Sequence, residues 1–184
     1  VQYTNAIRRT AGTTGSRRPI RAVMQAAETS QVVVPQRVLS SALALGAAVW
    51  AMVLGSAPLL ATKTGLGAAV IYAAGSLICH QLPDRSFHLG SAQLPVCARC
   101  FGLYVGVAIG ALAWSAIGSR RRQSLPRVAT LAVLALAGAP TVFTVMTAVL
   151  GVFDPPNLWR AGLAVPLGAA AGVAVGAVAS GHLK

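Results

Sequence analysis

Residues 65–118 read GLGAAVIYAAGSLICHQLPDRSFHLGSAQLPVCARCFGLYVGVAIGALAWSAIG. Two apolar runs flank one polar segment, and that alternation decides the fold. The run 65–79 has only Tyr72 and Ser76 as polar groups. The run 101–118 starts directly after Cys100 and ends at Arg120-Arg121-Arg122. Between them, 79–100 holds all three cysteines, His80 and His88, Asp84, Arg85 and Arg99. Soft ligands and charge between apolar helices mark a site.

Working outward, three more runs are apolar. Residues 38–61 are long enough to cross a bilayer, which takes about 20 residues, and Lys63 closes the run. Residues 128–153 carry Pro140, where a kink is expected, and 158–180 carry Pro166. None shows the period-2 alternation of barrel strands. The fold class is therefore an all-α polytopic transmembrane bundle of about five spans, with a polar Cys/His loop between spans 2 and 3. The run 65–79 is the shortest, and reads as a short or tilted span or as a half-buried helix ending at the site.

Composition agrees. Of 184 residues, 55% are hydrophobic and 10% charged, and mean hydropathy is +0.69. A soluble domain carries about 25% charged residues, so a soluble enzyme is excluded. The net charge of +12 reads as loop arginines that set topology and touch anionic lipid. No nucleic-acid motif accompanies them, so nucleic acid is not an expected partner. The expected partner is the lipid bilayer.

Residues 1–37 form a basic tail, with Arg8, Arg9, Arg17, Arg18, Arg21 and Arg37 among Thr, Gly and Ser. It is expected to be flexible, or to form an interfacial helix near residues 20–27. Residues 38–184 form the membrane domain. With five spans, the tail, the 79–100 loop and Arg160 share one face. Lys63, Arg120–Arg127 and the C-terminus share the other. Nine basic residues against six lean the site face toward the cytoplasm.

Two glycine triplets carry a packing signal. Gly102, Gly106 and Gly110 are spaced by four, as are Gly168, Gly172 and Gly176. Such a glycine zipper makes a flat helix face that admits another backbone, within the chain or from a partner protein.

The polar segment reads as a metal site. Cys97-Ala98-Arg99-Cys100 is a C-x-x-C at a helix start, where the dipole favours thiolate. Cys79 and His80 close the preceding helix, and His88 lies midway. Three Cys and one His complete a tetrahedral zinc set. The candidate ligands are Cys79, Cys97 and Cys100 with His80 or His88. Arg85 and Arg99 would donate to the sulfurs. A three-cysteine Fe–S cluster and ordinary buried thiols without cofactor are the alternatives. A redox reading competes, in which the C-x-x-C passes electrons to quinone or another lipid-soluble substrate, but only Cys79 remains for a relay pair. Covalent haem would need His where Phe101 stands.

Cys79-His80-Gln81, Arg85-Ser86-Phe87, Pro95-Val96-Cys97-Ala98-Arg99-Cys100 and Gly102-Leu103-Tyr104-Val105-Gly106 together resemble the signature of a family of small prokaryotic integral membrane proteins classed as a domain of unknown function. The resemblance covers roughly residues 78–176. Asn157-Leu158-Trp159-Arg160 resembles a further element of that family. It implies residence in the prokaryotic inner membrane and a shared polar site that includes Gln81, Asn157 and Arg160, and it implies no activity. Many members carry an Asp-Gly pair and a Gln where this chain has Thr144-Val145 and Ala148, which weakens a catalytic reading.

Other polar residues have simpler readings. Arg160 either holds an anion or snorkels to the interface. Asp154 is expected to cap the last helix. Trp50, Trp114 and Trp159 read as interface anchors. His182 has no evident partner. No Ser-His-Asp set or carboxylate pair is present, and three acidic residues leave little for acid–base chemistry. Two function classes follow: a non-catalytic membrane protein with a zinc-stapled loop, as an accessory or structural subunit of a membrane complex, or a membrane redox enzyme or carrier.

Overall fold

In the computed structural model, the described residues are 35–61, 63, 65–118 and 125–183. The tail, apart from Pro35, Gln36 and Arg37, lies outside them. Among the described residues there are five α-helices: α1 Gln36–Ala61, α2 Gly65–Ser76, α3 Ala98–Ala113, α4 Arg127–Val149 and α5 Asn157–Ala179. A π-helical turn, Trp114–Gly118, extends α3. A 3-10 turn, Pro83–Arg85, and a small antiparallel hairpin, β1 His88–Leu89 with β2 Ala92–Gln93, lie between α2 and α3.

Among the described residues, four helices are long and apolar enough to cross a membrane: α1, α3 with its extension, α4 and α5. The fifth, α2, has 12 residues. At 1.5 Å per residue it reaches about 18 Å, against a hydrocarbon core of about 30 Å. Of the two readings for this run, the structure takes the short helix that ends at the site. The parity of the bundle changes accordingly. The start of α1 lies by the end of α5, where the Gln36 side chain approaches Gly181. Near its other end, Gly55 faces the Phe101 ring of α3. α1 therefore runs toward the polar segment, and its first residues stand at the opposite end of the bundle. The five-span parity that set Arg37 at the site end is corrected on this ground, and Lys63 moves to the site end; residues 1–34 lie outside the described residues.

The glycine triplets form the central seam. A Cβ on Gly106 would come within 2.9 Å of the Gly168 Cα. One on Gly172 would lie 2.8 Å from the Ala111 nitrogen, and one on Gly102 would lie 2.8 Å from the Ala161 Cα. α3 and α5 thus run parallel in backbone contact, which only residues without a side chain permit. Both triplets are filled by the facing helix of the same chain. A third of the apolar window of each is buried, against 17% for α1 and α4. α4 packs on α5, where Thr141 donates to the Leu163 carbonyl at 3.0 Å.

At the end away from the polar segment, Trp114 is buried. Its indole N–H donates to Ser180 Oγ at 2.9 Å, and its ring meets His182 edge-on with centroids 5.9 Å apart. Trp114 is therefore a packing residue, not an interface anchor. His182 is held in turn by its own N–H to the Ala177 carbonyl at 2.8 Å, and its carbonyl accepts from Leu125 N–H. Trp159 is exposed, whereas Trp50 is half-buried against Tyr104.

Candidate functional site

The three cysteines come together. Their Sγ atoms all lie within 4.8 Å of one another, with Cys79 buried and Cys97 and Cys100 half-buried. Local structure explains how. α2 ends at Ser76, and the Cys79 N–H still donates to the Gly75 carbonyl at 2.9 Å. The chain then leaves through Gln81, whose φ of +50° is the only left-handed non-glycine conformation among the described residues. The Gln81 amide holds this turn, donating to the Tyr72 and Pro95 carbonyls at 2.8 Å each. Gln93 returns a bond to the Gln81 carbonyl at 3.2 Å, and the Tyr72 hydroxyl donates to the Gln93 carbonyl. A two-residue turn at Gly90-Ser91 reverses the hairpin, with Gly90 at φ +63°. The chain then descends through buried Pro95 and Val96 to Cys97, the N-cap of α3.

Cys97 N–H donates to Cys79 Sγ at 3.1 Å. The Cys100 thiol donates to Cys97 and holds it well below the usual thiol range, at about 5; burial opposes this, and backbone N–H groups of Cys100 and Arg99 reinforce it. All three cysteines are free. Around them, Leu54, Cys79 and Val96 form a buried cluster, walled by Trp50, Ile71, Phe101 and Tyr104. Tyr104 meets Trp50 edge-on at 6.2 Å, and Phe101 meets Phe87 in the same way.

The other candidate residues take different places. His80 and His88 are exposed, and neither belongs to the group of three sulfurs. Arg85 is exposed, and no side-chain bond from Arg85 or Arg99 to a sulfur is present among the described residues. Asn157 and Arg160 stand beside the loop. Asn157 Nδ2 donates to the Ser86 carbonyl at 3.0 Å and the Asp84 carbonyl at 3.3 Å. This ties the loop to the first turn of α5. Arg160, 6% exposed, pairs with Asp154, and its Nη1 lies 3.4 Å from Asn157 Oδ1. Asp154 is thus an ion-pair partner rather than a helix cap, because the N-cap of α5 is Pro156, which has no side-chain donor or acceptor. Thr144 is buried and donates to the Thr141 carbonyl at 3.0 Å.

Four residues that position the loop carry no metal-type signal in the sequence: Gly75, Tyr72, Ser86 and Gln93. A Cβ on Gly75 would fall 2.8 Å from Gln81 Nε2 and closer still to the Pro95 carbonyl oxygen. Ser86 is buried and donates to the Leu82 carbonyl at 2.9 Å.

Three thiols within 4.8 Å of one another could hold a metal ion. Cys79, Cys97 and Cys100 would hold the ion and leave one position for a further ligand.

The fold and site define a polytopic integral membrane protein with a three-cysteine cluster at one end of its helix bundle. The chain belongs to the family described as predicted membrane protein (DUF2085), whose model matches residues 79–176, just over half of the chain. It is 30% identical over 91 residues to an uncharacterised protein of Methanothermobacter thermautotrophicus, covering 50% of this chain and 78% of that one. It is 58% identical over 40 residues to an uncharacterised protein of Methanocaldococcus jannaschii, covering 22% of this chain and 26% of that one. The chain thus spans about a quarter of the length of the second relative. No solved structure matches.

Proposed function

We propose that this protein is a non-catalytic component of a prokaryotic inner membrane, and that Cys79, Cys97 and Cys100 bind one structural Zn²⁺. The single observation that supports this most is the convergence of three sulfurs from two separate segments. The metal ties the end of α2 to the start of α3. It also neutralises thiolates that face Leu54 and Val96, where unpaired charge is costly. Among the described residues no histidine or carboxylate belongs to the cluster, so none of them stands beside the ion as a general base to activate a water. The fourth ligand is a histidine drawn in from the exposed loop, His80 or His88, which closes the site. A scaffold of this kind serves as an accessory subunit of a larger membrane complex. Its own glycine faces are occupied, so a partner meets the outer faces of α1 and α4.

The test is metal analysis and a free-thiol count on detergent-purified protein. One zinc per chain, lost in Cys97→Ser with a lower melting temperature, is the expected result. His80→Ala and His88→Ala identify the fourth ligand by which of them lowers zinc content. Three reactive thiols, no metal and unchanged melting in Cys97→Ser would overturn the reading.

A redox reading is favoured by one observation, the free and adjacent Cys97 and Cys100 thiols. Their oxidation to a disulfide would pass two electrons and two protons to a quinone, giving quinol. A reversible Cys97–Cys100 disulfide in metal-free protein distinguishes it.

A further inference from the structure

Two guanidinium N–H groups at the site end of the bundle are buried and have no acceptor among the described residues, Nε of Arg99 and Nε of Arg160. Each belongs to the first turn of a helix, Arg99 in α3 and Arg160 in α5. These helices run parallel, with Gly102 against Ala161. Arg99 stands one turn above Gly102, and Asn157 stands one turn above Ala161. Arg99 also precedes Gly102, Gly106 and Gly110 by three, seven and eleven residues. That spacing follows one helix face, so Arg99 leaves α3 on the side that meets α5. Cys100 follows Arg99 by one residue, about 100° around the helix, so the cysteines face elsewhere.

We propose that Arg99 and Arg160 bind a phosphate-type oxyanion between the first turns of α3 and α5, with Asn157 positioning Arg160. Buried donors are rarely left without partners, and an orphan points to an absent acceptor. Here there are two, on neighbouring helix starts. The Arg160 side chain is 7% exposed, and its one anion is Asp154, whose side chain is 52% exposed. Asp154 occupies Nη2 of Arg160 and leaves Nε open. No acid pairs with Arg99 among the described residues. The N-terminal dipole of α5 adds positive potential at the same place. Guanidinium forks match a tetrahedral oxyanion through paired N–H groups, which a single carboxylate does not fill. The site lies at the end of the bundle, where either a phospholipid headgroup or free phosphate would be at hand. This inference does not depend on zinc in the cysteine cluster.

The test compares the two sources on the full chain. In detergent, melting is followed with inorganic phosphate against chloride at equal ionic strength. In nanodiscs, melting in phosphatidylglycerol is compared with melting in phosphatidylcholine, and retained lipid is weighed by native mass spectrometry. Stabilisation by inorganic phosphate assigns free phosphate, and stabilisation by phosphatidylglycerol alone assigns the headgroup. In either arm, Arg99→Gln is expected to weaken binding about tenfold, while Arg127→Gln at the opposite end leaves it unchanged. Asp154→Asn removes the competing carboxylate and is expected to tighten binding. Because Arg99 is only half-buried, its variant tests the site even if Arg160 variants fail to fold. Equal stabilisation of wild type and Arg99→Gln in both arms, or equal losses in Arg99→Gln and Arg127→Gln, would overturn the proposal.

Discussion

The backbone N–H of Cys97 donates to the sulfur of Cys79, 3.1 Å away and eighteen residues earlier in the chain. One bond thus joins the end of α2 to the start of α3, and makes the N-cap of a membrane-spanning helix depend on a cysteine outside it. Cys79→Ala would leave that partly buried N–H without its acceptor, at a cost of about 1 kcal/mol. The expected outcome is a lower melting temperature even in metal-free protein, with Cys79→Ser recovering part of it. Metal-free melting of Cys79→Ala equal to that of wild type would contradict the role of this bond.

Gly75 holds the loop by close approach rather than by conformation. In Gly75→Ala the new methyl collides with Gln81 and the Pro95 carbonyl. The Gln81 bridge must shift, at a cost of about 1–3 kcal/mol. Cys97 and Cys100 should then react faster with maleimide, and zinc content should fall. Gly46→Ala in α1, where nothing lies within 4 Å of the new Cβ, is the matched control.

The seam between α3 and α5 leaves no room for a side chain. Gly106→Leu or Gly172→Leu is expected to block folding, because each pushes the opposing backbone away. Gly162→Ala is expected to be neutral, since it sits on the same helix with open space around it. Wild-type yield and monodispersity in either leucine variant would refute this account.

The Asn157 amide donates to the carbonyls of both Asp84 and Ser86. Asn157→Ala should release that turn and lower stability by about 1–3 kcal/mol. Protection of the Arg85–Phe87 amides from hydrogen exchange is the direct measure. Unchanged protection would show that Phe87 stacking on Phe101 suffices.

The parity of the bundle can be read by labelling. Cysteines placed singly at positions 63, 85 and 160 of a cysteine-free chain are expected to react from one side of the membrane. Those at 37, 127 and 182 should react from the other. Arg37 and Arg127 share that second end, and the sequence passes through Arg120-Arg121-Arg122 between Ile117 and Leu125.

The sequence by itself determined the helical membrane class, the polar loop between apolar runs and the family. These depend on composition and on short-range order: an apolar run of sufficient length has only one way to satisfy its backbone in lipid. It also singled out the three cysteines, whose side-chain type is enough to mark them. Tertiary structure alone decided that the glycine triplets face each other, that Trp114 and His182 pack together, and that Asp154 meets Arg160 rather than capping α5. Each of these is a contact between residues whose partners are not implied by neighbours in the chain. It also separated the cysteines from His80 and His88. His80, next to Cys79 in the chain, is exposed while Cys79 is buried, because successive side chains leave the chain in different directions. Parity followed from one length: at 12 residues α2 cannot cross, so every helix after it enters from the opposite side to the one a five-span count assigns.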